Sequence, residues 1–301
     1  MPKLSIKQIS IYLIIVLILL GCIWIAAKKY GDIFKPKAHY PTPRNIQYSF
    51  TLQNKTNRLA KDAEFWTYAP LEQTSTQSCI NLETSPPFQL IMDNMGNRIL
   101  YFTLSGIPPF ATKIITIKAA LQLSDEPNRI HEKDFVKYLK GEKYCESENP
   151  DIIALAKKLK GSKPEKTAEN IFRWVTGNVK YAGYLKNARG AVYAMKNKKG
   201  DCTEFMYLFS ALCRASQIPA RNMGGYVCSQ NAILKPSEYH NWSEFYDNGA
   251  WRIADPQRKI FMQNPSLYIA MHIINELPDN PMGNYNRFLF SGKGIKAKMN
   301  G

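Results

Sequence analysis

"KKGDCTEF", Lys198 to Phe205, runs straight into the apolar stretch "MYLFSALCRA", Met206 to Ala215. The apolar residues recur at helical spacing, and the run stops before Ile218-Pro219, where proline restricts the preceding residue. Asp201 suits an N-cap, and Glu204 three residues later completes a capping-box pattern. Cys202 is then the first helical residue, at the end of a helix that offers unpaired N–H groups and positive dipole. That placement, with Lys196, Lys198 and Lys199 nearby, favours a lowered thiol pKa and a reactive thiolate. Asp201 and Glu204 oppose it, and on these residues alone a buried structural cysteine is the better reading. Cys213, further along the apolar face, reads as core.

A thiol nucleophile needs a base, and the base needs a group that orients it. Downstream lies "EYHNWSEFYDNGAWRIADP", Glu238 to Pro256. Its "DNG" between two strand-like runs predicts a hairpin with Asn248-Gly249 as a two-residue loop. Asp247 then faces Ala250 and Trp242 faces Asp255, which sets His240 diagonal to Asp255 on one face. Diagonal partners lie about 7 Å apart at the backbone, within reach of an imidazole and a carboxylate.

With these residues in place, "GDCTEFMYLFSALCRASQIPARNMGGY", "YHNWSEFY" and "WRIADP" together resemble the transglutaminase-like superfamily, a papain-like set of cysteine acyltransferases and peptidases. The resemblance extends to "NPDIIALAKKL", "FRWVTGNVKYAGY" and "RGAVYAM", covering about Asn149 to Phe261. It implies Cys202 as nucleophile, His240 as general base and acid, and Asp255 as the residue orienting His240. It also implies an α+β fold in which the helix bearing the cysteine packs on an antiparallel sheet. The upstream tryptophan that serves animal members as an oxyanion donor has no aligned counterpart. Trp174 reads as core, and Tyr181 and Tyr184 as aromatics near the site. No acidic cluster resembles the calcium sites of the animal enzymes, so neither metal nor cofactor is expected.

The first half has a different character. "QYSFTLQN", "EFWTYAP", "RILYFTL" and "KIITIKAALQL" are short, rich in β-branched and aromatic residues, and separated by turn signals. They predict a small β-sandwich-like domain over 47–124, joined by a connector (125–148) to a catalytic domain over 149–301. Within the latter, one helix ends near Gly161 and a second starts at Pro164-Glu165 with Ala168, Ile171, Trp174 and Val175 toward one side. The Pro-rich stretch Lys35 to Asn45 reads as a tether within a linker, 28–46. A short tail, 1–8, precedes the uncharged run Ile9 to Ala27, which is long enough to span a bilayer. "LLGC", Leu19 to Cys22, also matches a lipoprotein processing box, but the apolar run continues past Cys22 and favours an uncleaved anchor. Lys28, Lys29, Lys35, Lys37 and Arg44 outnumber Lys3 and Lys7, which by charge counting would hold the body inside. The short N-terminal tail argues the opposite, and an extracytoplasmic body is the reading adopted.

The net charge of +16 favours anionic surroundings. No zinc-finger spacing, RNP-like stretch or basic heptad accompanies it, so nucleic acid is not an expected partner. None of the six cysteines shows CxxC spacing. Cys79 and Cys145 could pair in an oxidising compartment, though nothing requires it. The expected activity is acyl transfer at amide bonds of a protein or peptide substrate, such as a cell-envelope one: a peptidase, amidase or deamidase. Two alternatives stay open, a protein-glutamine amine acyltransferase and a non-catalytic assembly module that retains the fold.

Overall fold

The computed structural model describes residues 16, 21, 38–130, 132, 134–276, 279–283 and 287–301. The anchor expected over Ile9 to Ala27, with Cys22, lies outside the described residues apart from Val16 and Gly21. No helix among the described residues is long and apolar enough to cross a membrane.

Six strands come first: β1 (Thr42–Asn54), β2 (Ala60–Tyr68), β3 (Gln77–Ser85), β4 (Gln89–Met92), β5 (Arg98–Ile107) and β6 (Thr112–Leu123). β1 alternates buried and half-exposed residues along its length, as a strand with one face on a core must. It pairs antiparallel with β6, and β6 with β3. β2 and β4 flank β5 in a second sheet. The inner faces meet through Tyr48, Phe50 and Leu52 on one side and Phe65, Ile99 and Phe102 on the other. The Phe50 and Phe65 rings meet at a tilt of 52°, 4.8 Å between centroids. β1 begins inside the Pro-rich stretch expected as a tether. Pro41 precedes the strand and Pro43 lies near its start, where a missing N–H is tolerated, and buried Arg44 bonds the Cys228 carbonyl at 2.7 Å.

Helices α1 (Pro150–Leu159) and α2 (Pro164–Asn178) follow, then β7 (Lys180–Tyr181), α3 (Ala191–Asn197), β8 (Lys199–Gly200) and α4 (Cys202–Ala215). α4 is buried on almost every side. It packs on the sheet built from β9 (Ala220–Val227), β11 (Tyr239–Asp247), β12 (Ala250–Asp255), β13 (Ile260–Phe261) and β14 (Tyr268–Ile274), in the order β13-β12-β11-β9-β14. The helix-on-antiparallel-sheet core is therefore present, in an α+β molecule. β10 (Ala232–Ile233) leaves this half to pair with β1.

The two halves are fastened by side-chain amides rather than by a linker. Gln77 and Asn97 are fully buried. The Gln77 amide donates to the Ala270 carbonyl at 3.0 Å and accepts from the Ala270 N–H at 2.9 Å. Asn97 does the same for Ile273, at 2.9 and 2.7 Å. Two amides thus stand in for a missing neighbour along the outer edge of β14, where the Leu71 N–H also bonds the Ala270 carbonyl at 2.9 Å. The chain's end also crosses back. β15 (Phe288–Ser291) pairs with β2, and β16 (Ile295–Met299) with β1, so these strands, expected within a 149–301 catalytic domain, complete the sandwich sheets. The 125–148 stretch carries core residues: Tyr138 is buried against Trp251 at 4.9 Å, and Cys145 is fully buried. Cys79 and Cys145 are both free thiols.

β9 contains Gly224-Gly225 where it runs between β11 and β14. A Cβ on Gly225 would lie 2.0 Å from the Ile269 carbonyl oxygen. That oxygen belongs to backbone and has no rotamer to move away. Gly225→Ala is expected to cost about 2 kcal/mol or more of stability, read as a lower urea midpoint at unchanged slope. A midpoint within experimental error of wild type would show that the strands can separate freely there.

Candidate active site

The site grows from the way α4 lies on β11. Asp201 caps the helix: its Oδ1 accepts the Thr203 N–H at 2.8 Å, and the Glu204 carboxylate returns to the Asp201 N–H at 3.0 Å. Four further contacts fix the helix along the strand. Asn241 Nδ2 donates to Thr203 Oγ1 at 3.0 Å. Ser243 Oγ donates to the Met206 carbonyl at 2.9 Å and meets Ser210 Oγ at 3.0 Å. Phe245 packs against Phe209, 6.1 Å between centroids. This seam holds Cys202 beside the start of β11, where the Asn241 backbone N–H hydrogen-bonds the Cys202 thiol. Asn241 follows His240 in sequence.

The hairpin has the register expected, with Asp247 opposite Ala250 and Ser243 opposite Ala254. Asn248 and Gly249 both have positive φ, as the two-residue turn demands. His240 Nε2 lies 2.6 Å from Asp255 Oδ2. With Asp255 as a carboxylate, Nε2 carries the proton and donates it, which leaves the Nδ1 lone pair free. The imidazole also stacks on Trp242, 6.5 Å between centroids. His240 is mostly buried and Asp255 fully so.

The Asp255 carboxylate has two more donors. Tyr268 OH donates to the same Oδ2 at 2.8 Å, and the Arg258 N–H donates to Oδ1 at 3.1 Å. Burial, with the Asp255 charge beside it, pushes the Tyr268 phenol far above its ordinary range, so the hydroxyl stays a donor. The Tyr268 contact with Asp255 is one that sequence reasoning missed. Tyr268 comes from β14, which pairs with β9 rather than with the hairpin, and no local spacing ties it to Asp255.

The thiol itself departs from expectation. Burial pushes Cys202 up to about 11, and the Asp201 carboxylate adds to the rise. The bonds from the Asn241 N–H and Thr203 pull the other way without reversing it. Desolvation outweighs both bonds, so the thiol stands above its ordinary value. The other described cysteines are raised as well by burial, Cys145 to about 12 and Cys213 well above its ordinary value.

The segment before α4 is tied to the same cap. Asp201 Oδ2 accepts the Leu185 N–H at 2.9 Å, and Glu204 Oε1 accepts the Arg189 N–H at 2.8 Å. Each capping carboxylate thus spends one oxygen on the helix and the other on the preceding loop. Trp174 is partly buried against the helical core, under the Lys198 ammonium at 4.0 Å. Tyr181 and Tyr184 are exposed. Among the described residues no group of three His, Cys, Asp or Glu side chains could hold a metal ion.

Residues 153–256 match the family model of the transglutaminase-like superfamily and form a transglutaminase-like domain. No curated protein sequence matches the chain. Among solved structures, a protein from Cytophaga hutchinsonii proposed as a cysteine protease shares the fold. It aligns with a TM-score of 0.54 at 20% identity over 86% of this chain and 92% of its own. The periplasmic domain of TgpA from Pseudomonas aeruginosa aligns with a TM-score of 0.38 at 14% identity, over 68% of this chain and 90% of its own.

Asp201→Asn keeps a capping oxygen and removes the charge that raises the thiol. Iodoacetamide labelling of Cys202 across pH, followed by peptide mass, should show a midpoint at lower pH than in wild type. A midpoint that stays put or rises would remove Asp201 as a cause of the raised thiol.

Proposed function

We propose that the protein is a cysteine-dependent acyl-transfer enzyme that hydrolyses amide bonds in protein or peptide substrates of the cell envelope. It is held at the membrane by Ile9 to Ala27, with its catalytic body on the extracytoplasmic side. The observation that carries the reading is the short His240–Asp255 hydrogen bond, built by a hairpin whose first strand also touches the Cys202 thiol. A buried imidazole oriented by a buried carboxylate beside a helix-start thiol has few structural uses, whereas nucleophilic catalysis needs all three.

In this reading His240 Nδ1 takes the Cys202 proton as the sulfur attacks the amide carbonyl carbon. The C=O electron pair moves to oxygen, and the Cys202 backbone N–H, free at the helix start, donates to that oxyanion. A well-placed donor of this kind lowers the barrier by about 3 kcal/mol. Nδ1–H then protonates the amine nitrogen as the C–N bond breaks, leaving a thioester and releasing the amine. Water attacks the thioester with His240 again as base. The carboxylic acid leaves, and the sulfur recovers its proton. Asp255 and Tyr268 touch no substrate; they hold the imidazole tautomer and stabilise the imidazolium that forms between the steps. The raised resting thiol fits this order, since the proton leaves only when an acyl group is present to receive the sulfur.

The acyl acceptor decides between hydrolysis and cross-linking. Incubation of the full chain with an envelope protein extract, scored by mass spectrometry, should yield new peptide termini or glutamine deamidation that disappear with Cys202→Ala. Incorporation of an added primary amine in preference to water would instead assign amine transfer. No Cys202-dependent product of any of the three kinds would reject the enzymatic reading.

On the substrate so identified, Asp255→Asn should lower turnover by roughly three to four orders of magnitude. KM and melting temperature should change little. A folded Asp255→Asn chain with near-normal turnover would leave at most a Cys202–His240 dyad.

A further inference from the structure

The chain from Lys180 to Gly200 contains Lys180, Lys186, Arg189, Lys196, Lys198 and Lys199 and no acidic residue. All six cations are exposed, and one of them, Lys196, is paired with the Asp151 carboxylate at 2.8 Å. The nearest carboxylates in sequence, Asp201 and Glu204, are buried and occupied with backbone N–H groups. The stretch ends at the nucleophile, so a substrate reaching Cys202 from this side meets positive charge.

The same stretch carries an open strand edge. β7 pairs parallel with β8, which leads directly into Asp201 and Cys202. The Lys180 N–H bonds the Lys198 carbonyl and the Ala182 N–H bonds the Gly200 carbonyl, both at 2.9 Å. Along a strand the peptide groups alternate direction. The N–H and C=O of Tyr181, between them, therefore point away from β8, on the side where β7 pairs with no other strand among the described residues. Lys180 and Tyr181 are both exposed. Two aromatic side chains stand in solvent beside this edge, Tyr181 at 59% and Tyr184 at 81% exposure. The loop that follows is held by the capping carboxylates through Leu185 and Arg189. The edge is thus fixed relative to Cys202 before any substrate arrives.

We infer that β7 is the docking edge for the acyl donor, and that this donor is an extended, acidic peptide segment, paired through the Tyr181 peptide group and attracted by the surrounding lysines. The inference rests on the acyl-transfer reading for the reaction and adds the substrate's chemical class. A strand laid on an edge supplies main-chain bonds that ignore sequence, while side-chain charge supplies the preference. Tyr181 and Tyr184 provide apolar faces on which a peptide side chain can lie.

Binding separates this inference from the reaction. Full chain carrying Cys202→Ala is titrated into two fluorescein-labelled decapeptides of equal length, one with four glutamates among alanine and glutamine, the other with four lysines in their place. Fluorescence anisotropy at low salt should give about tenfold tighter binding for the glutamate peptide, with the advantage falling as salt rises. The variant Lys180→Glu with Lys199→Glu should reverse the preference. In the glutamate peptide, N-methylation at alternate residues in one phase should weaken binding, and in the other phase should leave it unchanged, because only one set of N–H groups faces a strand edge. Equal affinity for the two peptides, no binding of either, a preference unmoved by the double charge reversal, or equal effects of the two methylation phases would each overturn the inference. Tight, alternating binding by the glutamate peptide, with no Cys202-dependent product from the wild-type chain, would instead count against acyl transfer and leave the docking edge standing.

Discussion

The seam between α4 and β11 is the contact on which the site depends. Thr203 with Asn241, Met206 and Ser210 with Ser243, and Phe209 with Phe245 meet in sequence order along helix and strand. Fixing the helix against the strand in this register sets Cys202 beside residues 240 and 241. The two Ser243 contacts are buried and the Asn241 contact is partly so, and a buried polar group left unpaired costs about 1–3 kcal/mol. Sliding the helix by one turn would break several of them together. The hairpin then adds the second constraint, since its turn fixes which β12 residue stands near His240. Two local rules, a helix cap and a two-residue turn, become one site through this seam.

Those two rules are the reason the candidate site was legible in the sequence. The capping box needs only Asp201 and Glu204 at their spacing, and the hairpin register needs only Asn248-Gly249. Both are short-range, so they survive translation into three dimensions. Tyr268 was invisible because its contact with Asp255 runs through β9, two strands away from the hairpin's own pairing. The same holds for Gln77 and Asn97. An amide residue in a β-rich segment carries no mark of becoming the edge partner of a strand nearly two hundred residues later. The direction of the thiol's shift stayed open in the sequence for a different reason: the positive helix end is a local feature, whereas desolvation depends on everything packed around the sulfur.

At the level of fold, the alternating strands of the first half and the helical periods of the second gave the elements, and the amphipathic faces gave their packing. What the sequence left unseen is how the halves share strands. Proline at positions 41 and 43 reads locally as a tether, yet β1 starts among them because a strand's first residues need few of their N–H groups. Strands β15 and β16 sit at the far end of the chain and complete sheets that begin near residue 42. The result ties the sandwich to the sheet beneath α4 by β10, β15, β16 and the two amides, so the sandwich forms a fixed wall of the same body.

The central claim is that Cys202 is a nucleophile activated by His240. It is tested most directly with an acyl donor that needs no recognition. Full chain mixed with p-nitrophenyl acetate should release a burst of one nitrophenolate per chain, with the acetyl group found on Cys202 by peptide mass after acid quench. The burst should vanish in Cys202→Ala and slow by orders of magnitude in His240→Ala at equal melting temperature. Acetylation confined to lysines or to another cysteine, or a burst on Cys202 that proceeds at the wild-type rate without His240, would contradict the account.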